Sequence, residues 1–534
     1  MKLRLRAIPV VAAAILLITG LGACGSSAPA AGPGGPGSGS AAGASIAQLT
    51  AGETTGYANL DPDQTQSCND NFCGLFMEHL LQLGPDNTLE PELATSVTEP
   101  DPTTYEYHLR HGVKFWDGHE MTSADVVYSL DYQRSPKSDI SVYFTNVKSI
   151  TADGPYTVVV KLKQPDAGWK YTPSYEGVIF EKSFAEAHQG TLGNPGVLIQ
   201  ATGPWQLTSY DSTRSMELTA NPHWWGGKVP VKHVTVKYFS TETSMALAMR
   251  SGEIDMAFPS NGKTFEAAAG SGATLTTWSP PSIYFVAMNV KAAPFDDIHV
   301  RRAVAYALNR TDLIAANGGS LTATPQSTLI PPSQLQVLGS QAQVKSLLGS
   351  LPQYPFDLAA AKRELAQSKY PHGFTAKTEI DNNGNDAEVI QAIGAELQKI
   401  GINLQISQVP EAQWSKDFSS GNLGGIAYTA FYAASPDPSI FPSYLLGDAS
   451  TYNMSRYAPP SVDTLMESGL ADSSPAQRLS DYGQLLKTVG TDLPYVVLFA
   501  GHNYTELSTK YTLPPFSVYP AFSSWALNLK RSAS

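Results

Sequence analysis

The sequence predicts an α/β protein, because two periodicities alternate along its 534 residues. Tyr105, Tyr107 and Leu109 alternate with polar residues, the period of a half-buried strand. Val300, Ala303, Val304, Ala307 and Leu308 instead recur at helical spacing and form one apolar stripe. Other segments repeat the contrast. Tyr156 to Leu162 is rich in β-branched residues, and Val234, Val236 and Tyr238 alternate. Thr241 to Arg250 reads as a helix ended by Gly252, with a strand expected over Ile254 to Phe258. Asp296 and Asp297 stand where a cap and first-turn acids belong. Asp357 to Ser368 and Glu388 to Ile400 read as two more helices. The second ends at Gly401 and leads into alternating Ile402, Leu404 and Ile406. Helices and strands interleaved in this way build α/β lobes rather than an all-helical or all-β body.

The amino terminus carries a different signal. Lys2, Arg4 and Arg6 precede an apolar run, Ala7 to Leu21, too short for a bilayer span of about 20 residues. The pattern is that of a secretory signal peptide over 1–23. Leu21-Gly22-Ala23-Cys24 resembles a bacterial lipobox, which implies cleavage before Cys24 and lipidation of that residue. Gly25 to Ser45 consists only of Gly, Ser, Ala and Pro. Such a chain buries too little apolar surface to offset its ordering entropy, so 24–45 reads as anchor and flexible linker. Its reach is about 25 Å by the square-root rule. Gly32, Gly34 and Gly37 match a dinucleotide-binding spacing, but no strand precedes them and no helix follows, so the motif is rejected.

The chain has net charge −12 and no basic run, which argues against a nucleic-acid partner. Cys68 and Cys73, in an exported body, suggest a disulfide closing a small loop, the other reading being two free thiols. No His or Cys pair lies near them to complete a zinc site. The sequence contains no H-E-x-x-H helix, no P-loop and no nucleophile elbow in a strand–helix context. The expectation is therefore no enzyme, no catalytic residue, no cofactor and no metal site.

Four segments, in order, resemble one family. They are YEYHLRHGVKFWDGHEMTSADV from Tyr105, GPWQL with ANPHWWGG between Gly203 and Gly227, NVKAAPFDDIHVRRAVAYALNR from Asn289, and ASPDPSIF from Ala434. Together they resemble extracellular solute-binding proteins of ABC importers, family 5, the peptide/nickel/oligosaccharide group. The resemblance implies a two-lobed fold like that of periplasmic binding proteins (type II, cluster C), with an extra domain inserted in the first lobe. It places lobe I at 45–73, 201–284 and 498–534, the additional domain at 74–200, and lobe II at 285–497. It implies a monomer that closes on its ligand and meets an ABC permease and ATPase, touching the membrane only through its lipid.

The resemblance also supplies candidate ligand residues. Trp414 matches a tryptophan that faces the cleft, with core packing as its other reading. Tyr428 to Ser435 matches the strand whose backbone pairs with extended ligands, a β-augmentation that brings in Phe431, Tyr432 and Ser435. Alternation puts Phe431 and Tyr432 on opposite strand faces. Asp437 precedes Pro438 and reads first as a turn starter, second as a ligand contact. His502 lies near where some members place a cleft arginine. Many peptide binders offer an aspartate for the ligand's ammonium where this chain has Ala434. The leading expectation is a peptide carried to an importer. Oligosaccharide or another solute without a free amino terminus is the alternative. An extracytoplasmic hydrolase, or a sensory or chaperone-like lipoprotein on the same fold, represents another class.

Overall fold

A computed structural model describes residues 45–534, except 55, 58, 64–70, 85–86, 261, 271, 382–385, 420–424, 448–449, 451, 473, 517–519 and 533–534. The expected signal peptide, Cys24, the linker up to residue 44 and Cys68 lie outside the described residues.

Lobe I is built on a seven-stranded sheet. Its order is Ala273–Trp278, Asn503–Ser508, Met256–Ala257, Ile46–Glu53, Val231–Tyr238, Ser215–Ala220 and Trp205–Asp211. Ile46–Glu53 runs parallel to both neighbours, and the other pairs are antiparallel. Leu49, Val234, Val236, Met216, Leu218 and Trp205 point into one core, as the period of two requires. The helix Glu242–Ser251 begins where Thr241 Oγ accepts the Ser244 amide at 3.1 Å, and it ends at Gly252 with φ 74°. That left-handed cap suits glycine. The strand expected over Ile254–Phe258 shrinks to Met256–Ala257, because Glu253 and Ile254 still donate back to the helix carbonyl of Ala248.

The chain crosses between lobes twice. It leaves the seven-stranded sheet at Trp278 and enters a second sheet at Ser282; it returns between Gly501 and Asn503. The lobe II sheet has the order Ala323–Pro325, Tyr495–Gly501, Ser282–Met288, Ile426–Tyr432, all antiparallel. Sheet membership thus changes three to four residues from the expected breaks at 284/285 and 497/498, because Ser282–Tyr284 and Leu498–Gly501 pair within lobe II. A parallel pair, Phe374–Asp381 and Ile402–Val409, joins this lobe through the helix Asp386–Gln398. The helix Ile298–Ala307 buries the predicted stripe of Val300, Ala303, Val304 and Ala307. Asp297 is its cap, accepting the His299 amide at 2.9 Å, whereas Asp296 stands before it and outside the first turn.

Between Cys73 and Ala201 the chain forms a four-stranded antiparallel sheet. Its order is Ala94–Asp101, Thr104–Leu109, Thr157–Leu162, Val147–Ala152, and the helix Ser123–Gln133 packs on it. A capping box starts that helix: the Thr122 amide donates to Asp125 Oδ2 at 2.9 Å. Tyr105, Tyr107, Leu109, Val126 and Leu130 share a core of their own. The family-like motifs hold the parts together. Trp224 and Trp225 both donate their indole N–H to the buried Glu78, at 2.9 and 3.0 Å. Arg301 donates to the carbonyls of Asp492 and Phe295 at 2.7 Å each.

Candidate functional site

The strand Ile426–Tyr432 is an edge of the lobe II sheet, paired through Ser282–Met288 and with no other strand among the described residues. Its pleat separates Phe431 from Tyr432. Tyr432 remains 43 % exposed, and its hydroxyl hydrogen-bonds that of Tyr284. Phe431 turns to the other face and joins an aromatic array. Its ring lies 5.3 Å from Phe441 and 5.3 Å from Tyr444. Tyr444 is 5.7 Å from Tyr452, Tyr452 is 5.6 Å from Phe418, and Phe418 stacks on Trp414 at 4.8 Å. Trp414, on the helix Glu411–Ser419, is half-buried against the lobe II core and is continuous with Phe431 through these rings.

The other predicted residues sit elsewhere. Asp437 is sealed from solvent and is engaged by one nitrogen of Arg478, at 2.7 and 2.9 Å from its two oxygens. One of those oxygens also accepts the Ser439 amide, the Asp turn that the Asp-Pro pair suggests. The first of the two readings of Asp437, a turn starter, describes this geometry, and the turn it stabilises is buried. Ser435 is buried as well: its hydroxyl accepts the Asp437 amide at 3.1 Å, and its carbonyl accepts from Gln334 at 2.7 Å. His502 is the residue between the strands of the two lobes, with Nδ1 2.9 Å from the Leu321 carbonyl. Ala434 packs in a small cluster with Tyr171, Tyr175, Phe522 and Tyr143.

That cluster opens a part of the site the sequence did not reveal. Tyr143 of the inserted domain approaches Tyr444 of lobe II with ring centroids 6.4 Å apart. Tyr143 also meets Tyr175 edge-on at 5.8 Å, and Tyr175 lies 6.2 Å from Phe522 of the C-terminal segment. Three parts of the chain therefore meet in one aromatic cluster. Glu176 sits beside it. Burial raises its carboxyl to about 8, and no hydrogen bond or ion pair among the described residues offsets that. Burial first, and then the Glu176 charge, push the phenols of Tyr143 and Tyr444 up. His79, edge-on to Phe522 at 6.1 Å, is held neutral by burial, its imidazole lowered to about 4. Tyr143, Glu176, Tyr444, Tyr452 and Phe522 were missed because they come from four separate segments. The one local signal was the aromatic run Trp169 to Glu176.

The described residues contain one group of metal-capable side chains, Asp117, His119 and Glu181, on the inserted domain. His119 Nδ1 lies 2.7 Å from Asp117 and 3.1 Å from Glu181, and the hydrogen bond to Asp117 raises the imidazole. Sequence scanning overlooked it because Glu181 is remote in the chain. Cys73 is disulfide-bonded.

The fold and these motifs agree with comparisons to known proteins. The family described as "Bacterial extracellular solute-binding proteins, family 5 Middle" matches residues 88–453, more than half the chain. A glutathione-binding protein GsiB from Shigella dysenteriae is 25% identical over 461 residues, covering 83% of this chain and 86% of its own. Among solved structures, the substrate-binding protein CtaP of Listeria monocytogenes aligns with a TM-score of 0.78 at 19% identity, over 91% of this chain and 99% of its own. DppA of Helicobacter pylori, in complex with the peptide STSA, gives 0.73 at 22% identity, over 91% and 98%. None of the described helices is long and apolar enough to cross a membrane. The chain is a two-lobed α/β protein with an inserted domain, and it belongs to family 5 of the bacterial extracellular solute-binding proteins.

Proposed function

We propose that this protein captures a short peptide between its lobes and delivers it to an ABC permease and ATPase, while held at the outer face of the cytoplasmic membrane by a lipid on Cys24. The observation that carries the peptide is the edge strand Ile426–Tyr432, which ends in the exposed Tyr432 and in Phe431 of the aromatic array. The edge of a sheet offers backbone donors and acceptors to an extended ligand irrespective of its sequence, and aromatic surfaces beside it accept varied side chains. Relatives that bind glutathione or hold a peptide support the same class. Ligand contacts to both lobes favour the closed form, which is how a permease distinguishes loaded from empty protein. In this reading Trp414, Phe431 and Tyr432 contribute to the ligand surface, His502 acts at the crossover, Cys68 pairs with Cys73, and the protein works as a monomer.

The aromatic array favours a second reading, an oligosaccharide stacked on Trp414, Phe418 and Tyr452. Calorimetry with tripeptides beside short oligosaccharides separates the two. Peptide heats without a sugar response support the first reading; sugar binding without a peptide response replaces it with the second.

A further inference from the structure

Lobe II holds a cavity of about 300 Å³ away from the proposed solute site. It opens where the edge strand Ala323–Pro325 stops. That strand pairs with Phe499 to Gly501 only, so Tyr495 to Val497 have no strand beside them on that side among the described residues, and they line the cavity. Leu348, Leu351, Leu486 and Val489 supply apolar walls. One charge reaches the space. Arg310, the first residue of the helix Arg310–Ala316, lines it, and no Asp, Glu, Lys or His does. Its Nε donates to the carbonyls of Gln326 and Val497 at 3.2 and 3.0 Å, and Nη1 donates to that of Tyr354 at 3.2 Å. These carbonyls orient the guanidinium but carry no net charge. Among the described residues Arg310 enters no ion pair, and its Nη2 makes no hydrogen bond and is not sealed from solvent. The nearby amide donors are already committed: Gln326 Nε2 to Thr328, and Gln353 Nε2 to the carbonyls of Leu348 and Leu351. A half-buried guanidinium without a counter-charge, set beside apolar walls, favours an anion, and its planar fork suits a carboxylate.

The geometry points to a second binding site, confined to lobe II, for a small monocarboxylate with an apolar tail. Its carboxylate sits on Nη2 of Arg310 and its tail against Leu348, Leu351, Leu486 and Val489. The volume is at the lower end of the range for small-molecule sites, about 300–1,000 Å³. One positive group with no acid beside it selects one negative group. The apolar walls reward a tail that an inorganic anion lacks. The site stands apart from the cleft and holds whichever solute fills it. Trp414, Phe418, Phe431, Tyr432, Tyr444 and Tyr452 do not line it. Tyr495 to Val497 lie two strands from Ile426–Tyr432, about 10 Å at ordinary strand spacing. The two sites can therefore be filled together.

Gly490 gives a clean way to close the cavity. It lies on the helix Pro475–Asp492 and lines the space, and a Cβ there would meet Pro352 no closer than 3.5 Å. Gly490→Leu therefore enters the cavity without moving the backbone, and it favours the helix. The test is calorimetry on the full chain as wild type, Gly490→Leu, Arg310→Gln and Trp414→Ala, with octanoate, octan-1-ol and sulfate as probes. Wild type is expected to bind octanoate about ten- to a hundred-fold more tightly than octan-1-ol, and sulfate not measurably. Gly490→Leu should lose octanoate and keep its thermal midpoint, and Trp414→Ala should bind octanoate as wild type does. Arg310→Gln should weaken octanoate to the level of octan-1-ol. Because Arg310 also holds three carbonyls, Gly490→Leu and the octan-1-ol comparison decide the matter if that variant does not fold. Unchanged octanoate binding in Gly490→Leu overturns the site. So does octan-1-ol or sulfate binding as tightly as octanoate, loss of octanoate in Trp414→Ala, which would place it in the cleft, or no octanoate binding to wild type.

Discussion

One nitrogen of Arg478 holds both oxygens of Asp437, at 2.7 and 2.9 Å, with both side chains almost fully out of water. The pair lies where the inserted domain meets lobe II. The Ala167 amide donates to the Leu470 carbonyl nearby at 2.8 Å, and a Cβ on Gly168 would stand 3.4 Å from the Asp437 carboxyl carbon.

Asp437→Ala leaves the Arg478 charge buried and unpaired. The expected cost is about 3–5 kcal/mol of folding stability, read as a lower midpoint in urea unfolding. Arg478→Met on top of it should recover part of the loss, since no unpaired charge then remains. A ligand-contact role would give the opposite pattern, lost affinity with an unchanged midpoint.

Stability should depend on pH through Glu176. Its carboxyl titrates near 8 in the folded protein against an ordinary 4.5. Between those values the folded state holds a proton that the unfolded chain has released, so this group's contribution falls as pH rises through the window. Glu176→Gln lacks the dependence. The variant should gain stability relative to wild type between pH 5 and 8.5. His79, lowered to about 4, acts with the opposite sign between pH 4 and 6.5 in both proteins, and it cancels in the comparison. Urea midpoints of the two proteins at pH 5, 6.5 and 8.5 provide the check.

Tyr432 and Phe431 should separate binding from folding. Tyr432 is 43 % exposed, so Tyr432→Ala is expected to lower peptide affinity several-fold while leaving the thermal midpoint within a few degrees. Phe431 packs against Phe441 and Tyr444, so Phe431→Ala should cost about 2–4 kcal/mol in addition to affinity. Calorimetry and thermal unfolding on the same preparations distinguish the two.

Cys73 should resist alkylation until reduced, as a disulfide-bonded residue must. Peptide mapping of the unreduced protein is expected to show Cys73 joined to Cys68. In cells, Cys24→Ala should move the protein out of the membrane fraction or block its processing. Fractionation indistinguishable from wild type would remove the lipid anchor from the proposed function.

Most local elements, and the family, were legible along the chain. The stripe of Val300, Ala303, Val304 and Ala307 became a buried helix face capped by Asp297, while Thr241 and Asp357, read as the first residues of two other helices, stand one place before them as their caps. These features need only nearest neighbours and one periodicity, so a linear reading captures them. The tertiary structure decided which polar groups are satisfied and which are left open. The Asp-Pro pair read as a turn, but its buried partner Arg478, 41 residues away, was not legible; nor was the burial that raises the Glu176 carboxyl. Lobe crossings moved for the same reason, since Ser282 and Gly501 take their sheet from cross-strand partners rather than from their own neighbours. Burial and pairing are properties of the assembled surface. A side chain's charge state and availability therefore follow from residues remote in the chain, and periodicity contains no record of them.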